Sequence, residues 1–208
     1  MRSSLRKTLT LGFALAGAAL FPGLVHAQGK AQVEPPVFDS IPSPEVNTGK
    51  AKPFKPKDWL EIESKMRIPA QTAEQKQVGF LDSVTVKWYI AIKNHEGRGV
   101  WLLSKEIRHI NVPVDEDIYS SVYLSPSTLK RVTGSDKAGK MAVERVGIEV
   151  LLNGAPIGVQ STKGEPGWWN ASAASVSRTD KFPLLNKNET PFKMLWWDRY
   201  AEIEEEKR

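Results

Sequence analysis

Few residues in this 208-residue chain have the type and spacing to do chemistry. Gly134-Ser135-Asp136-Lys137-Ala138-Gly139-Lys140 has the spacing of a phosphate-binding loop as far as its lysine. In such a loop the backbone amides wrap phosphate oxygens and the lysine neutralises them. The next residue is Met141, so no hydroxyl follows to hold magnesium, and the segment leads into a strand pattern rather than a helix. His95-Glu96 opens like a zinc-protease helix, which needs a second histidine one turn later. Position 99 is Gly99. Only His95 and His109 occur beyond residue 27, and no serine sits in the Gly-x-Ser-x-Gly setting of an esterase elbow. Both histidines are expected at surface or edge-strand positions. Asp115, Glu116 and Asp117 are contiguous and lack the spaced ligands of a calcium loop. The expectation is no catalytic residue, no metal site and no cofactor.

The tryptophans offer a different chemistry. Trp168 and Trp169 are adjacent, between Gly167 and Asn170, in a stretch without strand or helix periodicity. Two neighbouring indoles in a loop form a platform that can stack on sugar rings or anchor a protein partner. The alternative is that one caps the open end of the domain while the other covers a neighbouring strand. Trp59, Trp88 and Trp101 fall within strand patterns and read as core or core edge.

Apolar residues recur at every second position across the elements that must carry these side chains. Leu60, Ile62, Met66 and Ile68 form one row, interrupted by Ser64, and Val84, Val86, Trp88, Ile90 and Ile92 form another. Period two is the signature of half-buried antiparallel strands. Further strands are expected over 100–112, closed by Pro113, and over 117–124, 141–152, 157–162 and 192–203. Asn153-Gly154 suits a type I′ turn, in which both central residues take positive φ. Ser125-Pro126 reads as a helix cap with proline at the first helical position, starting a short helix that Gly134 ends. About seven antiparallel strands and one short helix, without βαβ alternation, make an all-β immunoglobulin-like β-sandwich over 58–208. A jelly roll or partly open barrel is the other architecture this pattern allows.

Residues 1–27 carry Arg2, Arg6 and Lys7 ahead of an apolar run that ends in Val25-His26-Ala27, the organisation of a cleavable secretory signal. The run is only just long enough to span a bilayer and Pro22-Gly23 interrupts it, so no integral span is expected after cleavage. A lipid anchor has no cysteine to carry it. Cleavage after Gly12 in the prepilin manner would place Gly17 where pilins carry Glu. Losing the leader lowers the formal net charge from +5 to about +2. That balance argues against a nucleic-acid partner. Residues 28–57 hold Pro35, Pro36, Pro42, Pro44, Pro53 and Pro56 among polar residues, and read as a Pro-rich disordered linker.

The Pro-rich stretch behind a signal sequence, the hairpin from Val146 to Gln160 and the closing run Thr190-Pro191-Phe192-Lys193-Met194-Leu195-Trp196-Trp197-Asp198 resemble a known family. It comprises secreted immunoglobulin-like proteins encoded beside type IV pilus assembly genes in Akkermansia and related Verrucomicrobia. The resemblance covers roughly Asp58 to Ile203. It implies a non-enzymatic protein in the periplasm, at the outer membrane or on the cell surface, acting through protein–protein interaction or adhesion. Pilus or envelope proteins are the implied partners. A mucin-type glycan on a host surface, bound at Trp168 and Trp169, is the alternative.

Overall fold

The computed structural model describes residues 31–45, 49, 55–95, 97–135, 137, 139–171 and 176–205. The expected signal segment, 1–27, lies outside them. Strands are β1 (Gln32–Val33), β2 (Val37–Pro42), β3 (Asp58–Arg67), β4 (Phe80–Lys93), β5 (Val100–Pro113), β6 (Asp117–Leu124), β7 (Val143–Leu152), β8 (Ala155–Ser161), β9 (Val176–Arg178), β10 (Leu185–Asn186) and β11 (Glu202–Ile203). Two short helices, α1 (Ala73–Val78) and α2 (Pro126–Thr133), complete the elements used below.

Two sheets face each other as an all-β sandwich. In the first, β1 and β2 both pair with β3, which continues to β6 and β10; in the second, β11 and β9 both pair with β5, which continues to β4, β7 and β8. Every pairing is antiparallel except that of β9 with β5. The alternating rows are the inner faces. Leu60, Ile62 and Met66 of β3, Ile68 just after it, and Val84, Val86, Trp88, Ile90 and Ile92 of β4 are all buried in one apolar core. The Trp88 indole N–H spans the layers to Ser120 Oγ of β6 at 3.2 Å, so the core's largest side chain keeps its one polar atom satisfied.

Helix α2 forms as its sequence requires. Ser125 Oγ accepts the Thr128 amide, Pro126 takes a first-turn position where no amide is needed, and Gly134 closes the helix in the left-handed region. Helix α1, unexpected from its periodicity because it buries no residue, is set by its ends: Thr72 caps it and Gly79 stops it at φ 81°.

The hairpin between β7 and β8 turns at Asn153 (φ 52°) and Gly154 (φ 78°), as a type I′ turn requires. No atom crowds the Gly154 α-carbon, so its role is conformational alone. Gly154→Val should lower stability by about 1–3 kcal/mol, from placing a β-branched residue at positive φ. An unshifted urea midpoint would contradict this.

The expected linker is corrected over its described part. Residues 32–42 pair with β3 along its length, from Gln32 opposite Arg67 to Pro42 opposite Asp58. Ala31 is buried and its amide bonds the Ile157 carbonyl of β8 at 2.8 Å, while Phe38 packs on the core. Pro35 and Pro36 fall between β1 and β2, where no ladder bond is made, and Pro42 is tolerated as the last residue of a strand at the sheet margin. Ser64, the polar break in the β3 row, is fully buried because its hydroxyl donates to the Glu34 carbonyl at 2.7 Å.

Candidate functional site

The sequence places its candidate platform at Trp168 and Trp169, and the structure corrects it. Gly167 turns the chain at φ 91° into one 3₁₀ turn over Trp168–Asn170, which lays Trp169 flat on the outer face of the second sheet. Trp169 is fully buried. Its indole stacks on Tyr89 of β4 with centroids 4.9 Å apart and planes 8° from parallel. Its N–H donates to Glu149 Oε1 at 3.1 Å, and the Tyr89 hydroxyl donates to Glu149 Oε2 at 3.0 Å. Gly147, directly across from Tyr89, leaves the space for the ring. A Cβ there would lie 2.2 Å from Trp169 Cε3. Trp168 is half-buried, with its N–H on Ser161 Oγ at 3.2 Å and the Arg145 guanidinium 4.0 Å above its ring. The pair therefore covers the sheet, with no shared exposed face.

The histidines depart from expectation in one case. His95 is exposed and its Nδ1 meets the Val132 carbonyl at 3.0 Å, at the C-terminal end of α2. His109 is buried, 1% exposed. Its Nδ1 donates to the Ala201 carbonyl at 3.2 Å, since a carbonyl can only accept, and its Nε2 accepts from Ser120 Oγ at 3.0 Å. Burial pushes the imidazole down to about 4, against the raising effect of its backbone bonds to Ala201 and Glu202. A neutral histidine bonded to a serine hydroxyl has the makings of an activated nucleophile. Ser120 is 1% exposed and also accepts the Trp88 N–H, so its oxygen is enclosed in the core between the two sheets. The trio joins β4, β5 and β6 and pins the C-terminal segment through Ala201.

Other motifs give structural parts. Gly134 is the C-cap of α2, and the described portion of 134–140 passes through a 3₁₀ turn into β7; Asp136 and Ala138 lie outside the described residues. Asp115 turns the chain at φ 57°, and its carbonyl accepts from Arg67. Among the described residues no three His, Cys, Asp or Glu side chains are grouped as a metal site.

What the sequence missed is the C-terminal run. Instead of a strand over 192–203, it makes successive turns and only a two-residue β11. Phe192 is buried, stacked on Tyr123 at 5.5 Å and edge-on to Trp59 at 5.7 Å. That anchor lifts the following residues off the sheet. Met194, Trp196 and Trp197 are 74%, 52% and 56% exposed and form an aromatic tip, while the other exposed large apolar side chains, such as Phe80 and Met141, stand apart from it in the sequence. Trp196 sits at φ 50°, a conformation a bulky residue adopts only when its surroundings impose it. A groove of about 430 Å³ lined by Ile41, Pro42, Pro44, Leu195 and Trp196 lies on one side of the tip. A smaller one of about 190 Å³, lined by Asn188, Trp197, Tyr200 and Ile203, lies on the other.

Beneath the tip, the outer face of the first sheet holds Glu61 and Glu63 of β3 beside Ser121 and Tyr123 of β6. Tyr200 reaches down to both carboxyls, and Arg199 pairs with Glu63 while its guanidinium lies 3.8 Å over the Tyr119 ring. Glu61 is buried, 6% exposed. Burial raises its carboxyl above the usual range, hydrogen bonds from Tyr123 and Tyr200 oppose that, and the charges of Glu63 and Asp39 add to it. Burial likewise raises the Tyr123 and Tyr200 hydroxyls and lowers Lys187. The residues meeting here are up to 139 positions apart in the chain.

One protein-family model matches residues 24–207. The crystal structure of a protein from Akkermansia muciniphila superposes with a TM-score of 0.79 at 37% identity, covering 86% of this chain and 94% of that one. No curated protein matches the sequence. No described helix is long and apolar enough to cross a membrane.

Proposed function

The chain belongs to the protein family whose model spans residues 24–207, and from that premise we propose a non-enzymatic, exported protein of the cell envelope that acts by protein–protein contact within a type IV pilus-like system. Export is supported by the basic and apolar leader ahead of Ala27. The pilus context is supported by the resemblance of the Pro-rich stretch, the β7–β8 hairpin and the closing run. A non-catalytic role is supported by the enclosure of Ser120 and His109. The observation that carries contact as the mode of action is the exposed cluster of Met194, Trp196 and Trp197 between two grooves. Large apolar side chains held out by a strained backbone are the type of anchor that dominates interface energetics.

The test is Trp196→Ala with Trp197→Ala in one protein, compared with wild type by cross-linking and pull-down from envelope fractions, beside a glycan array. Each indole is expected to contribute about 2 kcal/mol of binding, so capture of the envelope partner should fall well over tenfold. Thermal stability should fall much less than for a buried indole, because about half of each side chain is already in solvent. Undiminished capture would remove the tip from the reading. Glycan binding lost with the same variant would redirect it to carbohydrate recognition.

A further inference from the structure

The hydrogens around Glu61 can be assigned from the geometry. Ser121 Oγ donates to the Tyr123 hydroxyl at 3.0 Å, so the hydrogen of Tyr123 goes to Glu61 Oε1. Tyr200 has one phenolic hydrogen and two carboxyl neighbours: Glu63 Oε2 in close contact and Glu61 Oε1 at 3.1 Å. Glu63 pairs with the Arg199 guanidinium, and so takes the Tyr200 hydrogen as acceptor. The contact between Glu61 and the Tyr200 oxygen then needs a hydrogen supplied by Glu61. As a neutral acid, Glu61 accepts from Tyr123 and donates to Tyr200 through the same oxygen, Oε1, which leaves the single Tyr200 hydrogen to Glu63. As an ion, it would compete with Glu63 for one hydrogen beneath a buried surface, with Asp39 adjacent on β2 adding like charge.

We propose that Glu61 carries a proton while the C-terminal segment is docked on the first sheet, and that its ionisation loosens the segment, so that presentation of the aromatic tip follows pH. The consequence for the tip rests on the reading of Met194, Trp196 and Trp197 as a contact surface; the latch itself does not. The other groups on the latch are accounted for. Lys187 donates to the Lys193 carbonyl at 3.1 Å, lies 5.0 Å from the centre of the Tyr200 ring and feels the charge of Glu61, so it works against the proton there. Arg199 stays with Glu63. His109 holds Ala201 from the opposite side of the same segment. The raised carboxyl gives the sign: a folded value above the unfolded one stabilises docking fully below the unfolded value, and that stabilisation is lost as pH rises through the folded value.

Glu61→Gln is the decisive variant in the full chain, because it keeps the shape of the side chain and an acceptor for Tyr123 and cannot ionise. Hydrogen exchange over residues 187–203, corrected for intrinsic rates and referenced to β4 and β7, should be compared between wild type and E61Q from pH 5 to 8. The ratio of wild-type to E61Q protection should fall with rising pH, by a factor of about ten for each pH unit by which docking raises the carboxyl. His109 is common to both proteins and cancels. Glu61→Ala should leave the segment poorly protected at every pH. A ratio that does not change with pH, or E61Q protection no better than that of E61A, would overturn the proposal. Neither measurement needs a partner, so a latch that behaves as expected together with undiminished capture by the Trp196/Trp197 variant would reject the contact surface alone.

Discussion

Gly147→Ala should destabilise the domain by about 3 kcal/mol or more, although it adds a single methyl group. The new carbon would lie 2.2 and 2.3 Å from two atoms of the buried Trp169 ring, well inside contact distance. The ring is fixed on its other side by Tyr89 and at its edge by Glu149, so it cannot tilt aside without breaking one of these contacts. Expelling it should cost about as much as emptying the site, for which Trp169→Ala is expected at about 3–5 kcal/mol. The cycle of both changes tests the argument. If the methyl acts only through the ring, Gly147→Ala should add little on top of Trp169→Ala, giving a coupling of about 3 kcal/mol. Additive losses in urea unfolding would show that Gly147 serves some other need of β7.

Acidification should weaken the fold through His109. The histidine has a value of about 4 in the folded protein against 6.5 in the open chain, so the unfolded state binds the proton first. The stability it contributes is fully present above pH 6.5 and is lost as pH falls through the window down to about 4. The total is about 3 kcal/mol for a shift of this size. Glu61 works in the opposite sense, gaining stability as pH falls, and partly hides the effect in wild type. His109→Gln separates them. Relative to this variant, wild type should lose about 3 kcal/mol between pH 7 and pH 4, and parallel pH profiles for the two would show that the imidazole does not stay neutral in the core.

Local chemistry was readable where one strand face meets the core. The β4 row, the Asn153-Gly154 turn and the Ser125-Pro126 start of α2 each depend on residues within a few positions of one another, and each stands as the sequence implies. Residues 32–42 were misread because β2 lies outside β3, mostly exposed, with no alternation to display. The buried Ser64 was the available clue, since a polar residue in an apolar row needs a partner from elsewhere, here Glu34. For Trp168 and Trp169 the alternative of an indole covering a neighbouring strand holds for Trp169, and the platform does not, because the vacancy that receives this ring is made by Gly147, on a different strand. The Glu61 cluster and the tip are tertiary. Phe192, Arg199 and Tyr200 have no strand or helix period, and their conformation is imposed by docking on β3 and β6.

The placement of the short strands bears on how copies of this protein behave when crowded. A β-sheet ends in a row of unused backbone groups, which invites another chain to add on. Here β1 and β2 occupy that row on β3, β9 and β11 divide the one on β5, and β10 takes part of the one on β6, with the Tyr119–Tyr200 bridge beside it. At β8 the row is shortened by Pro156, displaced by the irregularity at Val150/Leu151, and met at Ile157 by the amide of Ala31. The marginal segments therefore cover most of the backbone edge of β3 and β5, and the aromatic tip adds the side-chain surface proposed above for contact.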